Sequence, residues 1–434
     1  MKKIFFRTTL ILFIPMLIVI SMFIIPSQYE KTYMGELKYK YERLSNTNGK
    51  RIVIIGGSAM AFGIDSELIN NSFADYDVVN MGMYAAMGSR AILDLCLSKI
   101  NEGDIIVFAP EQNSQTLSLY LGADFCLQGC DGAFNMLPKF FTSEENAAKI
   151  LAAIPLFSYE KAKYFFTGTT PQPDSIYRQS AFNEYGDIDI ILPENIMSSG
   201  YDINTQISYN DDSIDSEFIE YLNNYSRKVT SKKATLLFAY APANENAVLT
   251  TNETDSNFAE DFLDRYHLFL NKNLDFAVIG DPHNSVLSSE WFYDTNYHLN
   301  SYGKKLYTRQ LIRDLKAYLK DTSVTAIDIP NAPVLPAQNS TEEKKILKAT
   351  VYSKNTTITS VTIEEDINVI EDYAFSGCSS LKEIHIKNAD PSKIRIGQHL
   401  LDGTNANIYV PESSVSLYKT DYQFSLYAGR IYPD

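Results

Sequence analysis

Cysteine is scarce in this chain. Four occur in 434 residues, Cys96, Cys126, Cys130 and Cys378, too few to staple a disulfide scaffold. Cys126 and Cys130 are separated only by Leu-Gln-Gly, and a disulfide in an oxidising exterior and a pair of free buried thiols both fit them. No histidine stands beside them, so a metal site is not expected. Positive charge is also short. Lys and Arg number 38 against 53 Asp and Glu, a formal net charge of -15. That balance excludes nucleic acid as a partner, since a phosphate backbone is held by clustered Lys and Arg, and it disfavours electrostatic binding to anionic lipid. No Walker lysine and no GxGxxG pattern offers a nucleotide site, and no cofactor is expected. A neutral, cationic or tethered substrate suits the charge. Tryptophan occurs once, but Tyr 29 times and Phe 24 times; tyrosine has a flat apolar ring with a hydroxyl, able to stack on sugar or to sit half-buried at the surface.

One long uncharged run is present. Lys2, Lys3 and Arg7 precede residues 8–25, which carry no charge and are almost wholly apolar, close to the roughly 20 residues that cross a bilayer as a helix. Basic residues before the run leave the N-terminus in the cytoplasm and the bulk outside. Pro26-Ser27-Gln28-Tyr29-Glu30 is a poor cleavage site, which favours an uncleaved single-pass anchor over a signal peptide. The expected organisation is a cytoplasmic tip and anchor over 1–29, a polar, partly helical stalk over 30–49, a large domain over 50–322, a linker over 323–342 containing Pro330, Pro333 and Pro336, and a small module over 343–434.

In the large domain, short continuous apolar runs at 52–55, 77–81, 104–109, 235–240 and 276–279 alternate with helical patterns at 89–100, 217–229, 258–270 and 303–319. Continuous apolar strands separated by helices predict a doubly wound α/β fold with a parallel sheet covered on both faces. Residues 111–210 break the rhythm and form an insertion, a lid or substrate wall.

Ligands of such sheets bind beyond the carboxyl ends of the strands. Ser58 follows the first strand in Gly56-Gly57-Ser58, Asn80 and Gly82 end the second, and Asp294 and His298 precede the last helix. A serine hydroxyl attacks only once a neighbouring imidazole takes its proton, and a carboxylate fixes the tautomer of that imidazole. Ser58 alone is equally readable as the N-cap of a helix after a tight turn. His267 and His283 have less claim to a pocket than His298, and in the insertion Arg178 or Asn183 is a candidate substrate contact.

The order Gly-Gly-Ser, Asn-x-Gly, then Asp and His before a final helix resembles the SGNH hydrolase (GDSL esterase) superfamily over about residues 50–320. It is most similar to the membrane-anchored bacterial branch associated with O-acylation of cell-surface polymers, such as the alginate O-acetylation and teichoic-acid D-alanylation proteins. The resemblance implies Ser58 as nucleophile, His298 as base, Asp294 as its orienting acid and Gly82 as an oxyanion-hole N–H. It also implies a serine-dependent esterase or O-acyltransferase acting on a cell-surface glycan, with a membrane-bound O-acyltransferase as partner. The chain departs from the family pattern at three points. Gly57 stands in place of Asp before the serine, and Asp294 lies four residues before the histidine rather than three. Ala109-Pro110-Glu111-Gln112-Asn113 follows the third strand where the family has Gly-x-Asn-Asp, leaving Asn113 or Gln112 as the substitute for its oxyanion-hole Asn.

The C-terminal spacing of Ile363, Ile370, Ala374, Phe375, Cys378, Leu381, Ile384 and Ile386 resembles a BspA-type leucine-rich repeat, with the stretch 408–412, Tyr418 and Tyr422 similar to its closing unit. About one and a half repeats are expected. The module reads as a docking or adhesion element or as a structural cap, and its His385 and His399 have no catalytic company. A noncatalytic surface-binding protein is thus the alternative to an enzyme.

Overall fold

The computed structural model describes residues 19–434 except 172–175, 193–194, 198–199, 210–212, 253–261, 328–344, 372, 398–399 and 422–423. The apolar runs of the large domain form one parallel sheet from β1 (Lys50–Ile55), β2 (Tyr76–Asn80), β3 (Ile105–Phe108), β4 (Thr235–Phe238) and β6 (Ala277–Val278), in the order β2-β1-β3-β4-β6. A two-residue β5 (Ala243–Asn244) pairs separately with β7 (Val286–Leu287). Ile52, Val53, Ile54 and Ile55 are all fully buried, which is why β1 is apolar at consecutive positions rather than at every second one. The chain runs from β1 outward to β2, then crosses back to β3 on the other side of β1. That reversal opens a crevice beyond the carboxyl ends of β1 and β3. A buried ion pair, Arg51 to Asp104 at 2.5 Å, ties the opposite ends of these strands together.

The two expectations at the N-terminal side fare differently. Most of the anchor lies outside the described residues, and no described helix is long and apolar enough to cross a membrane. The described end of the run, helical over 19–24, lies against the domain, with Met22 buried. Residues 30–49 pack against the domain rather than standing off it as a stalk. The helix Glu36–Asn46 buries Leu37 and Leu44, and the Lys40 Nζ donates to the carbonyls of Asn80 and Gly186. Burial pushes the Lys40 ammonium down to about 8. Several polar residues of this segment, Thr32, Glu36 and Lys40 among them, are therefore internal.

The insertion contributes the helices Ala123–Gly129 and Glu144–Thr167. Cys126 and Cys130 are free and buried, one turn apart at the first of these helices, and burial pushes both thiols up. The expected linker falls largely outside the described residues, as do His399 and Tyr422. Beyond it, β8 (Lys345–Leu347), β10 (Ile367–Ile370) and β12 (Arg395–Ile396) form one parallel sheet. A second contains β9 (Ser360–Ile363), β11 (Glu383–Ile386), β13 (Asn407–Val410) and β14 (Ile431–Pro433). Ile363, Ile370, Phe375, Cys378, Leu381 and Ile384 are buried in a core separate from that of the α/β domain. Tyr418 is buried with them and donates to the Asn388 carbonyl at 2.7 Å.

Candidate active site

Ser58 begins the helix Ser58–Gly63 directly after β1 and a two-glycine turn. A Cβ on Gly57 would sit 2.6 Å from the Glu111 carboxyl, so a larger residue there would require the Glu111 side chain to shift. His298 comes from the loop before the helix Ser301–Leu319. Asn300 caps that helix, its side chain accepting from the N–H groups of Tyr302 and Gly303. The loop is closed by the Tyr293 N–H donating to the His298 carbonyl at 2.8 Å, and by Thr295 Oγ1 accepting from the N–H groups of Tyr297 and His298.

This Thr295 turn takes up the extra residue between Asp294 and His298. Asp294 Oδ1 lies 2.7 Å from His298 Nδ1, and His298 Nε2 lies 2.8 Å from Ser58 Oγ. All three residues are buried. With Asp294 holding a proton on Nδ1, Nε2 is left as the acceptor for the serine proton. Tyr177, from the insertion, donates to Asp294 Oδ2 at 2.5 Å. Burial and the neighbouring carboxylate hold the Tyr177 phenol well above its ordinary range, so it remains a donor. Phe62 stacks on the imidazole, with ring centroids 4.0 Å apart and planes 5° from parallel.

Glu111 is the unforeseen member. Its Oε1 accepts from the Ala59 N–H at 2.6 Å and lies 3.1 Å from Ser58 Oγ, while Asn113 Nδ2 donates to Oε2 at 3.3 Å. Burial pushes the Glu111 carboxyl above the usual carboxylate range, against the opposing pull of the Ala59 N–H and of His298. A carboxyl group therefore fills the corner beside the serine where amide donors would be expected. The only signal for it in the sequence was position, since it follows β3 where a different residue was sought.

The other expected residues separate. Asn80 is fully buried and donates to the Met60 carbonyl and to Asp187, while its Oδ1 accepts from the Gly82 N–H at 2.8 Å. That N–H is engaged within its own loop, so Asn80 and Gly82 brace the turn beneath Ser58. Asn113 lines the cleft, whereas Arg178 does not and its neighbour Tyr177 does. His267 and His283 bond instead to Tyr240 and Asp264, away from the cleft. Among the described residues no cluster of His, Cys, Asp and Glu could hold a metal ion.

Ser58, Glu111 and His298 open into a cleft of about 650 Å³. Tyr33, Tyr84, Tyr177 and Tyr297 line it with Glu160 and Asp202, and its described lining has no lysine or arginine. Two further lining residues, Tyr373 and Asp402, come from the C-terminal module.

Residues 345–426 match the family model described as BspA type leucine rich repeat region. The parallel ladder of β9, β11, β13 and β14 in chain order gives more units than the one and a half read from the spacing, because short strands such as β8 and β12 carry too few apolar residues to be counted by pattern. The leucine-rich repeat region thus supplies part of the wall of the cleft that holds Ser58. Compared with curated proteins, the chain gives no match.

Proposed function

We propose that the chain is a serine-dependent acyl esterase or O-acyltransferase of the SGNH hydrolase type, tethered by its N-terminal run and acting on a polysaccharide outside the cell. The observation that carries this reading is the unbroken relay from Ser58 Oγ to His298 Nε2 at 2.8 Å and from Nδ1 to Asp294 at 2.7 Å. In the reaction, His298 takes the Ser58 proton as Oγ attacks the acyl carbonyl, and Asp294 stabilises the imidazolium. Collapse of the tetrahedral intermediate expels the donor oxygen, which receives that proton, and leaves the acyl group on Ser58. Water or a glycan hydroxyl then attacks, with His298 again the base, and Ser58 is regenerated. A cleft lined by tyrosines and carboxylates suits a neutral or amine-bearing sugar. A membrane-bound O-acyltransferase partner would supply the acyl group in the transferase form.

The test is hydrolysis of an activated acetyl ester by the purified chain, with Ser58→Ala and His298→Ala each lowering the rate by about 10³-fold or more. Labelling of Ser58 by a fluorophosphonate is expected as well. Full activity in both variants would remove the enzyme reading. The match to the BspA type leucine rich repeat region favours a second reading, a surface-binding protein that docks through its repeats. On that reading Ser58 stays unlabelled while glycan binding persists in both variants.

A further inference from the structure

The helix Glu144–Thr167 is apolar on both sides. Its inner face buries Ile150, Ile154 and Phe157 against the domain. Its outer face presents Ala148, Leu151, Ala152, Pro155, Leu156, Tyr159 and Phe166, with Leu151 and Leu156 each 58% exposed, Tyr159 65% and Phe166 78%. Positions 148 to 159 recur at three- and four-residue intervals and Phe166 follows two turns on, with Lys163 between, so they form a stripe along one side of the helix. Exposed charges on the helix are confined to Glu144, Glu145, Lys149 and Lys163, near its ends. A contiguous apolar face of this kind on a surface helix marks a contact with a second apolar medium.

The uncharged N-terminal run arrives at this helix. Lys161 Nζ donates to the Met22 carbonyl at 2.8 Å and to Asp131 Oδ1 at 2.6 Å, and Asp131 also accepts from the N–H groups of Gln28 and Tyr29. Phe23 packs on Phe134 with ring centroids 4.9 Å apart, while the side chains of Phe23 and Ile24 remain largely exposed. The described chain thus begins, at Val19, three residues before its tie to this helix, and the residues before it continue the same apolar composition.

We infer that the outer face of the helix Glu144–Thr167 lies in the membrane interface, its stripe from Leu151 to Phe166 seated among lipid chains beside the entry point of the N-terminal run. The inference rests on the membrane tether of the proposed function. Lipid is favoured over a protein partner because this same helix holds, through Lys161, the end of a run suited to that medium, and because Lys149 and Lys163 among the apolar residues are long enough to reach headgroups. The same helix lines the catalytic cleft with Glu160 and Tyr164. With a helix about 10 Å across, the cleft lies only about that far from the lipid. An acyl donor carried in the membrane then reaches Ser58 without leaving the bilayer surface far behind.

The experiment uses the full chain reconstituted into phosphatidylcholine vesicles, with an environment-sensitive fluorophore on an introduced cysteine. The four native cysteines are buried, so the label goes to the new one. Labels at Leu156→Cys and Phe166→Cys are expected to be quenched at least about twofold when the lipid acyl chains are brominated, as for a helix seated at the acyl boundary. A label at Leu268→Cys, an equally exposed apolar position on another helix, is expected to be unaffected. Quenching absent at 156 and 166 in a chain that floats with the vesicles overturns the inference and leaves the tether standing. A face reserved for a protein partner gives this result, and quenching equal at all three positions overturns the inference too. A chain that does not float removes the tether, and the inference with it.

Discussion

Glu111 places a carboxyl 3.1 Å from the Ser58 hydroxyl, which on the proposed mechanism gives up its proton and gathers negative charge. Two negative charges at about 4 Å repel by about 4 kcal/mol at the effective dielectric of a protein site. The ionised form therefore opposes attack by Ser58, and a hydroxyl turned toward Glu111 is not donating to His298. Burial raises the Glu111 carboxyl, so it stays neutral above the range where ordinary glutamates ionise. Its contribution to stability follows the same sign: present below the ordinary carboxylate value and lost as pH rises through the raised one. Glu111→Gln keeps an oxygen for the Ala59 N–H and removes the charge. In a profile of kcat/KM against pH for an activated ester, the variant is expected to exceed the parent by about tenfold on the alkaline side, equivalent to about 1.4 kcal/mol, and to match it at acid pH. Superimposable profiles would show that Glu111 does not govern the serine. Tyr177 acts at one remove. Loss of its hydroxyl in Tyr177→Phe leaves Asp294 Oδ2 without that donor and is expected to slow turnover by about tenfold, near 1.4 kcal/mol, while Ser58 still takes up the fluorophosphonate slowly. Undiminished turnover would make the tyrosine a packing residue. Ser58, His298 and Asp294 were legible in the sequence because each sits next to an element boundary with its own signature. Glu111 and Tyr177 were not, since Glu111 stands at a strand end where the family pattern has an amide, and Tyr177 lies in the insertion, which has no regular pattern.

At the scale of elements, the serine is held by what lies under it. The helix Ser58–Gly63 has only six residues and rests on the turn after β2, where Asn80 binds the Gly82 N–H and the Met60 carbonyl. A Cβ on Gly82 would fall 2.7 Å from the Ala61 nitrogen and 2.8 Å from the Met60 Cβ. Neither atom is the end of a flexible side chain, so the short helix must move. Gly82→Ala is expected to lower unfolding stability by about 1–3 kcal/mol and the esterase rate with it. An unchanged urea midpoint and rate would refute this. The role first assigned to Gly82, an oxyanion donor, was read from its place at a strand end, and that place holds. Which way its N–H points depends on Asn80, two residues back, which no pattern of apolar residues encodes. The core strands were legible for the opposite reason: burial on both faces leaves an unbroken apolar run. The helix Glu36–Asn46 was read as a stalk because its polar residues look solvated, yet Lys40 and Arg43 spend their charge on buried or half-buried carbonyls.

Across the whole molecule, the leucine-rich repeat region and the α/β domain meet at the cleft. Tyr373 and Asp402 line it from turns of the repeats, in the same cleft as Ser58 and His298. A small activated ester needs only the serine and its relay, whereas a polymer must run along the cleft and past the repeat wall. The two substrates should therefore respond differently to changes in that wall. Tyr373 has φ +60°, a backbone conformation that Asn and Gly adopt more readily than Tyr, so Tyr373→Asn removes the ring without straining the turn. Asp402→Asn removes one of the carboxylates facing the cleft. Each variant is expected to leave hydrolysis of the small ester within about twofold of the parent. For the polysaccharide each is expected to raise KM by about five- to tenfold, the loss of one stacking or charged contact worth about 1 kcal/mol. Should Asp402→Asn weaken only amine-bearing polymers, the carboxylate selects for positive charge; an equal effect on neutral ones assigns it to hydrogen bonding. Equal losses on ester and polymer would mean that the repeats hold the cleft in shape rather than read what enters it. No change on either would confine them to docking elsewhere.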